Sequence, residues 1–255
     1  MLRVLTLTVT AIATFLASGN AAEKPNIIFI MADDLGWKDV AYAGADFFET
    51  PHIDKFAAEG MIFHAAYSGG PNCAPTRACL ISGTYTPRHK IYQPGGSSKG
   101  KEKYMRFLVP VRSWFRKDRE LTALAAEQFE ITTQLDPEFV SLAEVLKPAG
   151  YATARLGKWH LGDDLQGFDL SDPNGLGGKG DNFYGDIDVA EQLTDRALQF
   201  IEENKEGPFF LYLSHWDVHT PIQAREQVVA RYRDKLKTIP KDKRRNFDPV
   251  YAGMI

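Results

Sequence analysis

The chain has 255 residues, 44% of them hydrophobic and 25% charged, with a formal net charge of −3. This is the composition of a globular chain forming one large domain or part of one, and the charge argues against a nucleic-acid partner. Two cysteines are too few for a disulfide-held scaffold.

Residues Met1 to Ala22 read as a secretory signal: Arg3, an apolar run from Val4 to Leu16, then small residues through Ala21-Ala22. The run is too short to span a bilayer. The abrupt switch to Glu23-Lys24-Pro25 favours cleavage, so the expected mature protein is residues 23–255, periplasmic or secreted and not membrane-attached.

Asn26 to Ala32 (NIIFIMA) is a continuous apolar run, which predicts a strand buried on both faces of a largely parallel sheet. It ends in Asp33-Asp34. Adjacent carboxylates there are either a solvated turn or a site for a hard metal ion, which relieves their repulsion. Thr50-Pro51-His52 opens a helix that stops at Gly60, with Ile53, Phe56 and Ala57 as its apolar face. A second apolar stretch, Met61 to Tyr67, leads through Gly69-Gly70-Pro71 to Asn72-Cys73-Ala74-Pro75-Thr76-Arg77.

That segment predicts a loop delivering Cys73 to a helix start, with the helix running on from Pro75 to Gly83. Free N–H groups and the positive end of the helix dipole suit an anion. Arg77, four positions on, shares a helical face with Cys73. A disulfide to Cys79 is excluded, because six helical steps separate the two by roughly 9 Å. A tyrosine-phosphatase loop is excluded too: it needs five residues between Cys and Arg, and here there are three. A buried, inert cysteine remains open on this stretch alone.

Pro94 to Lys103 is rich in Gly, Ser and Lys and reads as a surface loop, with Arg106 to Glu120 continuing it as an insertion. Ser141-Leu-Ala-Glu144 is a capping box, followed by Leu142, Val145, Leu146 and Ala149 at helical spacing. After Gly150, Tyr151 to Leu156 reads as a strand running into Gly157-Lys158-Trp159-His160-Leu161-Gly162. A Gly/Asp/Asn-rich loop follows to Gly185. Val189, Leu193, Ala197, Phe200 and Ile201 mark an amphipathic helix. Pro208 to Leu213 is another buried strand, emptying into Ser214-His215-Trp216-Asp217-Val218-His219. Tyr251 to Ile255 reads as the start of a further helix. Three apolar strands therefore each end in a polar cluster, the edge at which open α/β sheets bind ligands. The His215/His219 spacing is that of a zinc helix, but Trp216 stands where that motif has its Glu.

Cys73-x-Pro75-x-Arg77 continued by Leu80-x-Ser82-Gly83 resembles the signature of the type I, formylglycine-dependent sulfatases, arylsulfatase-like members of the alkaline phosphatase superfamily. Pro25 to Gly36, Gly157 to Gly162 and His219-Thr-Pro221 are similar to that family's other motifs, in the family's order. The departures are Thr76 for the usual Ser and Ser82 for the usual Thr. The resemblance implies an α/β fold, an alkaline-phosphatase-like α/β/α sandwich with a largely parallel central sheet, incomplete in this chain. It implies hydrolysis of a sulfate ester on a sulfated carbohydrate or aryl sulfate. Cys73 is then converted by a maturation enzyme to formylglycine (3-oxoalanine), whose hydrate attacks sulfur, the sulfated hemiacetal later collapsing to release sulfate. Asp33, Asp34 and residue 73 are the implied ligands of one Ca²⁺, Arg77 the cation fixing the nucleophile, Lys158 and His219 the sulfate-binding groups, and His160 the histidine assisting deprotonation or collapse. His215 and Asp217 match no such role and are read as substrate-side or structural.

Ca²⁺ takes six to eight oxygens, more than these three residues offer, and the family's second metal pair, an Asp-Asn, lies beyond Ile255. Asp181-Asn182 is in the wrong place for it. The 255-residue chain is therefore expected to be weakly active or inactive, with an aggregation-prone sheet edge. A phosphatase or phosphonate hydrolase of the same superfamily, a non-catalytic binding protein and a thiol hydrolase are the alternatives.

Overall fold

The computed structural model describes residues 24–92, 132, 134–172, 186–244 and 247–255. Met1 to Ala22, read above as a signal, Pro94 to Lys103 and Arg106 to Glu120, read as a loop and insertion, and Asp181-Asn182 lie outside them.

Four parallel strands, β1 (Ile27–Met31), β2 (Ala152–Gly157), β3 (Leu170–Ser171) and β4 (Phe209–Ser214), form one sheet in the order β1-β4-β2-β3. The register is the feature that matters for function. Met31 pairs with Ser214, and Ser214 with Gly157, so three strands end level. Whatever follows each of them converges on one edge. Gly157 is required for this closeness. It sits at φ 84°, and a Cβ there would lie 2.0 Å from the Ser214 carbonyl oxygen, which no side chain survives.

Helices cover both faces. On one, α2 (Cys73–Ser82) and α4 (Leu142–Leu146) pack Ala74, Ala78, Ile81 and Ala143 against Phe210, Tyr212, Trp159 and Phe168. On the other, α5 (Val189–Asn204) sets Val189, Leu193, Ala197 and Phe200 against Ala154, Leu156, Leu211 and Leu213. Successive β4 residues thus alternate between two cores, as strand geometry demands, and both faces are apolar, the mark of a parallel sheet. Burying each such side chain contributes about 1.5–3 kcal/mol. A third cluster joins Phe47 to α6 (Glu226–Thr238) and α7 (Pro249–Met254) through Tyr232 and Ala252. The remaining helices are α1 (Pro51–Glu59) and α3 (Thr86–His89).

Several expectations are corrected. Among the described residues β1 is not buried on both faces: it has a neighbour on one side only, β4, and Ile28 and Ile30 are 48% and 65% exposed because nothing among those residues covers that face. The Ile53/Phe56 apolar face of α1 is present as read and is exposed among the described residues, with Phe56 78% exposed. α2 begins at Cys73, not Pro75. Proline at the third position still gives up only an N–H that has no intrahelical partner. The capping box at Ser141 is formed in both directions, but α4 ends at Leu146, continues as a 3₁₀ turn over Lys147–Ala149, and leaves Val145 exposed. Helix α6 and the two-residue β3 carry weak patterns and are additions to the sequence reading.

Candidate active site

The level strand ends determine the site. Asp33 follows β1, Lys158 follows β2 directly, and the His215–His219 segment follows β4. Backbone hydrogen bonds sew them together: Asp33 N donates to Asp217 O (2.9 Å), Val218 N to Asp33 O (2.7 Å) and Lys158 N to Ser214 O (2.9 Å). α2 then enters with Cys73 in its first turn. Gly70 lets the preceding turn lie against it, since a Cβ there would meet Pro75 at 2.7 Å.

Arg77 is the buried hub, 1% exposed. One terminal nitrogen donates to Lys158 O (2.8 Å), to Tyr212 Oη (3.1 Å) and to Ser214 Oγ; the other donates to Asp33 Oδ1 at 3.2 Å. Lys158 Nζ donates to Asp33 Oδ2 and stands 3.5 Å from Cys73 Sγ. Burial alone would raise the Asp33 carboxyl, but the Lys158 hydrogen bond and the Arg77 and Lys158 charges outweigh it and hold Asp33 below the usual carboxylate range. Cys73 behaves oppositely. Burial, then the negative charge of Asp33, pushes its thiol up, with Lys158 opposing. A helix start would lower a thiol pKa, yet here desolvation and the carboxylates win, which disfavours a thiolate nucleophile.

Asp34 and His219 complete the cluster. Asp33, Asp34, Cys73 and His219 each offer one ligand atom, and these atoms all lie within 4.8 Å of one another. His219 Nδ1 donates to Thr220 O at 2.7 Å, so Nε2, 3.8 Å from Asp34 Oδ2, keeps its lone pair when the ring is neutral. Asp34 (φ 60°) and His160 (φ 67°) both hold left-handed backbone, a strained conformation for residues with a Cβ that concentrates at functional sites. His160 Nδ1 is buried without a hydrogen-bond partner among the described residues. Burial, followed by the charges of Lys158 and Arg77, lowers its pKa to about 4. The ring is therefore neutral at pH 7 and an acceptor. A cavity of about 430 Å³ opens over Asp33, Asp34, Asn72, Cys73 and Arg77.

Of the residues singled out in the sequence, Asp33, Asp34, Cys73, Arg77, Lys158 and His219 share this cluster, and His160 lies within range of its charges. His215 and Asp217 are half-buried beside it; burial lowers the His215 pKa and raises Asp217 to about 6. The sequence reading missed Ser214 and Tyr212, the acceptors of Arg77, and Trp216, whose ring lies 5.0 Å under Lys158 Nζ. Ser214 is the polar residue closing an apolar strand, a signal that was available. Both cysteines are free thiols. Cys79 stands apart from the cluster, 3.3 Å from His89 Nε2.

The family model described as Sulfatase matches residues 25–255. The chain belongs to the sulfatase family. Mouse N-acetylgalactosamine-6-sulfatase is 30% identical over 265 residues, covering 88% of this chain and 46% of that protein. N-acetylgalactosamine-6-O-sulfatase of Bacteroides thetaiotaomicron is 27% identical over 288 residues, covering 80% of this chain and 50% of that protein. The crystal structure of Ps i-CgsB superposes with a TM-score of 0.63 at 26% identity, covering 91% of this chain and 52% of that one. A structure solved with its substrate D-glucosamine-2-N,6-O-disulfate shares the fold, with a TM-score of 0.62 at 22% identity, covering 86% and 40%. The parallel sheet between helices is thus the alkaline-phosphatase-like fold of these sulfatases, in part. The chain spans about half the length of the relatives it matches.

Proposed function

We propose that this chain carries the nucleophile-bearing part of a sulfuric ester hydrolase site for sulfated carbohydrates or aryl sulfates, in an exported protein cleaved after residue 22. The observation behind this reading is the meeting of Asp33, Asp34, Cys73 and His219 within 4.8 Å, with Lys158 and Arg77 bonded to the same Asp33 carboxylate.

The donors fit a hard divalent cation in kind, though not in number. Two carboxylates and an oxygen on a modified residue 73 suit Ca²⁺, which takes six to eight oxygens; a thiol does not. The Asp33 oxygens each retain a lone pair beyond their bonds to Arg77 and Lys158. Ca²⁺ at Asp33, Asp34 and residue 73 would polarise sulfate oxygens. Formylglycine at residue 73, made by a maturation enzyme, would supply an oxygen nucleophile that needs no thiolate.

The chain's own residues do the rest. The charges of Arg77 and Lys158 offset those of Asp33 and Asp34, so a divalent cation leaves the cluster at about +2, complementary to a sulfate monoester. Lys158 Nζ, already beside residue 73, neutralises charge developing on sulfate oxygens. His219, whose Nε2 lies in the same cluster, would contact the same oxygens. His160, neutral, would assist deprotonation of the residue 73 hydroxyl or the later collapse. Arg77, locked by its bonds, holds Asp33 in place.

The test is turnover by the chain co-expressed with a formylglycine-generating enzyme. Slow, chelator-sensitive hydrolysis of an aryl sulfate in preference to the matching aryl phosphate is expected; preference for the phosphate would assign the site to a phosphatase instead. Asp33, Asp34 and residue 73 alone, the oxygen donors assigned among the described residues, fall short of six to eight oxygens, so slow turnover is expected.

A further inference from the structure

Charge is unevenly spread over this chain. The whole carries −3, yet residues 226–245 hold eight Lys or Arg against three acidic residues. Residues 226–244 of this stretch are α6 and the turn after it, and the helix is anchored by packing. Tyr232 is buried against Phe47, Phe247 stacks on Phe47 at 4.6 Å, and Lys235 Nζ donates to Phe47 O at 2.9 Å.

Part of the charge is paired. Arg231 and Lys235 share Glu49 at 3.0 and 2.7 Å, and Lys237 meets Asp234 at 2.7 Å. Such solvent-facing pairs are weak and screened by salt, so another anion can compete for these cations. Lys241 and Lys243 are exposed and have no anionic partner among the described residues. Arg244 donates to the carbonyls of Ile239 (2.8 Å) and Lys237 (3.2 Å), which ties the 3₁₀ turn Lys241–Lys243 to the helix end and leaves the guanidinium charge uncancelled. The helix dipole accounts for cations in the last turn of α6, but it falls off within a turn and does not explain Lys241 and Lys243.

We propose that Lys237, Lys241, Lys243 and Arg244 form an exosite that grips a sulfated polysaccharide while one of its sulfates occupies the Cys73 site. The choice of polyanion rests on the sulfatase reading above. α6 starts seven residues after His219 and its 13 residues run about 20 Å, so a polymer is the ligand class suited to engage both ends. Nucleic acid fits poorly, because residues 237–244 carry no aromatic ring on which a base could stack. A membrane fits poorly as well: none of the large exposed apolar side chains falls on α6 or the turn, and an interfacial helix needs an apolar face.

The experiment compares the full chain with its Lys237→Gln/Lys241→Gln/Lys243→Gln variant, Arg244 being kept because it holds the helix end. Binding to dextran sulfate is measured across a salt series, with uncharged dextran, duplex DNA and phosphatidylserine vesicles as further probes. The expected result is salt-dependent binding to dextran sulfate alone, weakened at least tenfold in the variant, with the log–log salt slope falling by roughly 2 to 3. Equal binding by the variant, or binding to DNA or vesicles as tight as to dextran sulfate, overturns the proposal. Should the triple variant misfold by circular dichroism, Lys241→Gln/Lys243→Gln, outside the helix, gives the same reading with a smaller loss. Conversion of Cys73 with no loss in the variant removes the exosite and leaves the sulfatase reading; an unconverted Cys73 with the expected loss does the reverse.

Discussion

Lys158 Nζ stands 3.5 Å from Cys73 Sγ while donating to Asp33 Oδ2, so one ammonium links the Asp33 carboxylate to a cysteine 85 residues before the lysine. Both partners of the Lys158–Asp33 pair are at least 95% buried. Lys158→Met should therefore destabilise the chain by about 3–5 kcal/mol, because it strands a buried carboxylate. Lys158→Met/Asp33→Asn should recover part of that. Urea unfolding of the four members of the cycle measures it, and strict additivity would show that the pair does not interact.

Arg77 is less replaceable. Lysine keeps the charge but lacks the fork that reaches Lys158 O, Tyr212 Oη, Ser214 Oγ and Asp33 Oδ1 together. Arg77→Lys should cost about 2–4 kcal/mol, through buried acceptors left without donors. A change within about 0.5 kcal/mol by the same unfolding assay would contradict the hub described here.

His89 provides a pH signature away from the site. It is buried, its Nδ1 accepts from Ile91 N at 3.1 Å, and Nε2–H therefore faces Cys79 Sγ. Burial, opposed by its backbone hydrogen bond, lowers its pKa from 6.5. The unfolded chain thus binds this proton first as pH falls. The stabilisation is complete above pH 6.5 and is lost as the pH drops from there through the folded-state value. His89→Gln should flatten the thermal-stability profile between pH 7 and 5; an unchanged slope would show that His89 is not its source.

The two faces of β1 and β4 make contrasting predictions. Leu193→Ala, under β4, should cost about 2–5 kcal/mol. Ile28→Lys/Ile30→Lys, on the face of β1 left uncovered among the described residues, should change stability little, by about 0.5 kcal/mol per substitution. The same change should also reduce self-association measured by light scattering, since charge blunts an exposed edge.

What was legible in the sequence follows from what each signal depends on. The strands Phe209–Ser214 and Ala152–Gly157, helix α5 and the capping box at Ser141 rest on local apolar period and cap chemistry, which a sequence carries directly. The meeting of Asp33 with Lys158 was expected only as two clusters at one edge. The register Met31–Ser214–Gly157 is what turns edge neighbours into bonded pairs. Ile28 and Ile30 misled because an apolar run states that a surface seeks cover, not that cover is present. Ser214 and Tyr212 escaped because their role exists only through Arg77, which arrives from a helix more than 130 residues earlier.

Mass spectrometry of the peptide containing Cys73, after co-expression with a formylglycine-generating enzyme, tests the central claim most directly. The account predicts the mass loss of conversion from cysteine to formylglycine, abolished in Cys73→Ala and leaving Cys79 unmodified. A quantitatively unconverted Cys73 thiol, in a chain shown to be folded and exposed to an active maturation enzyme, would contradict it.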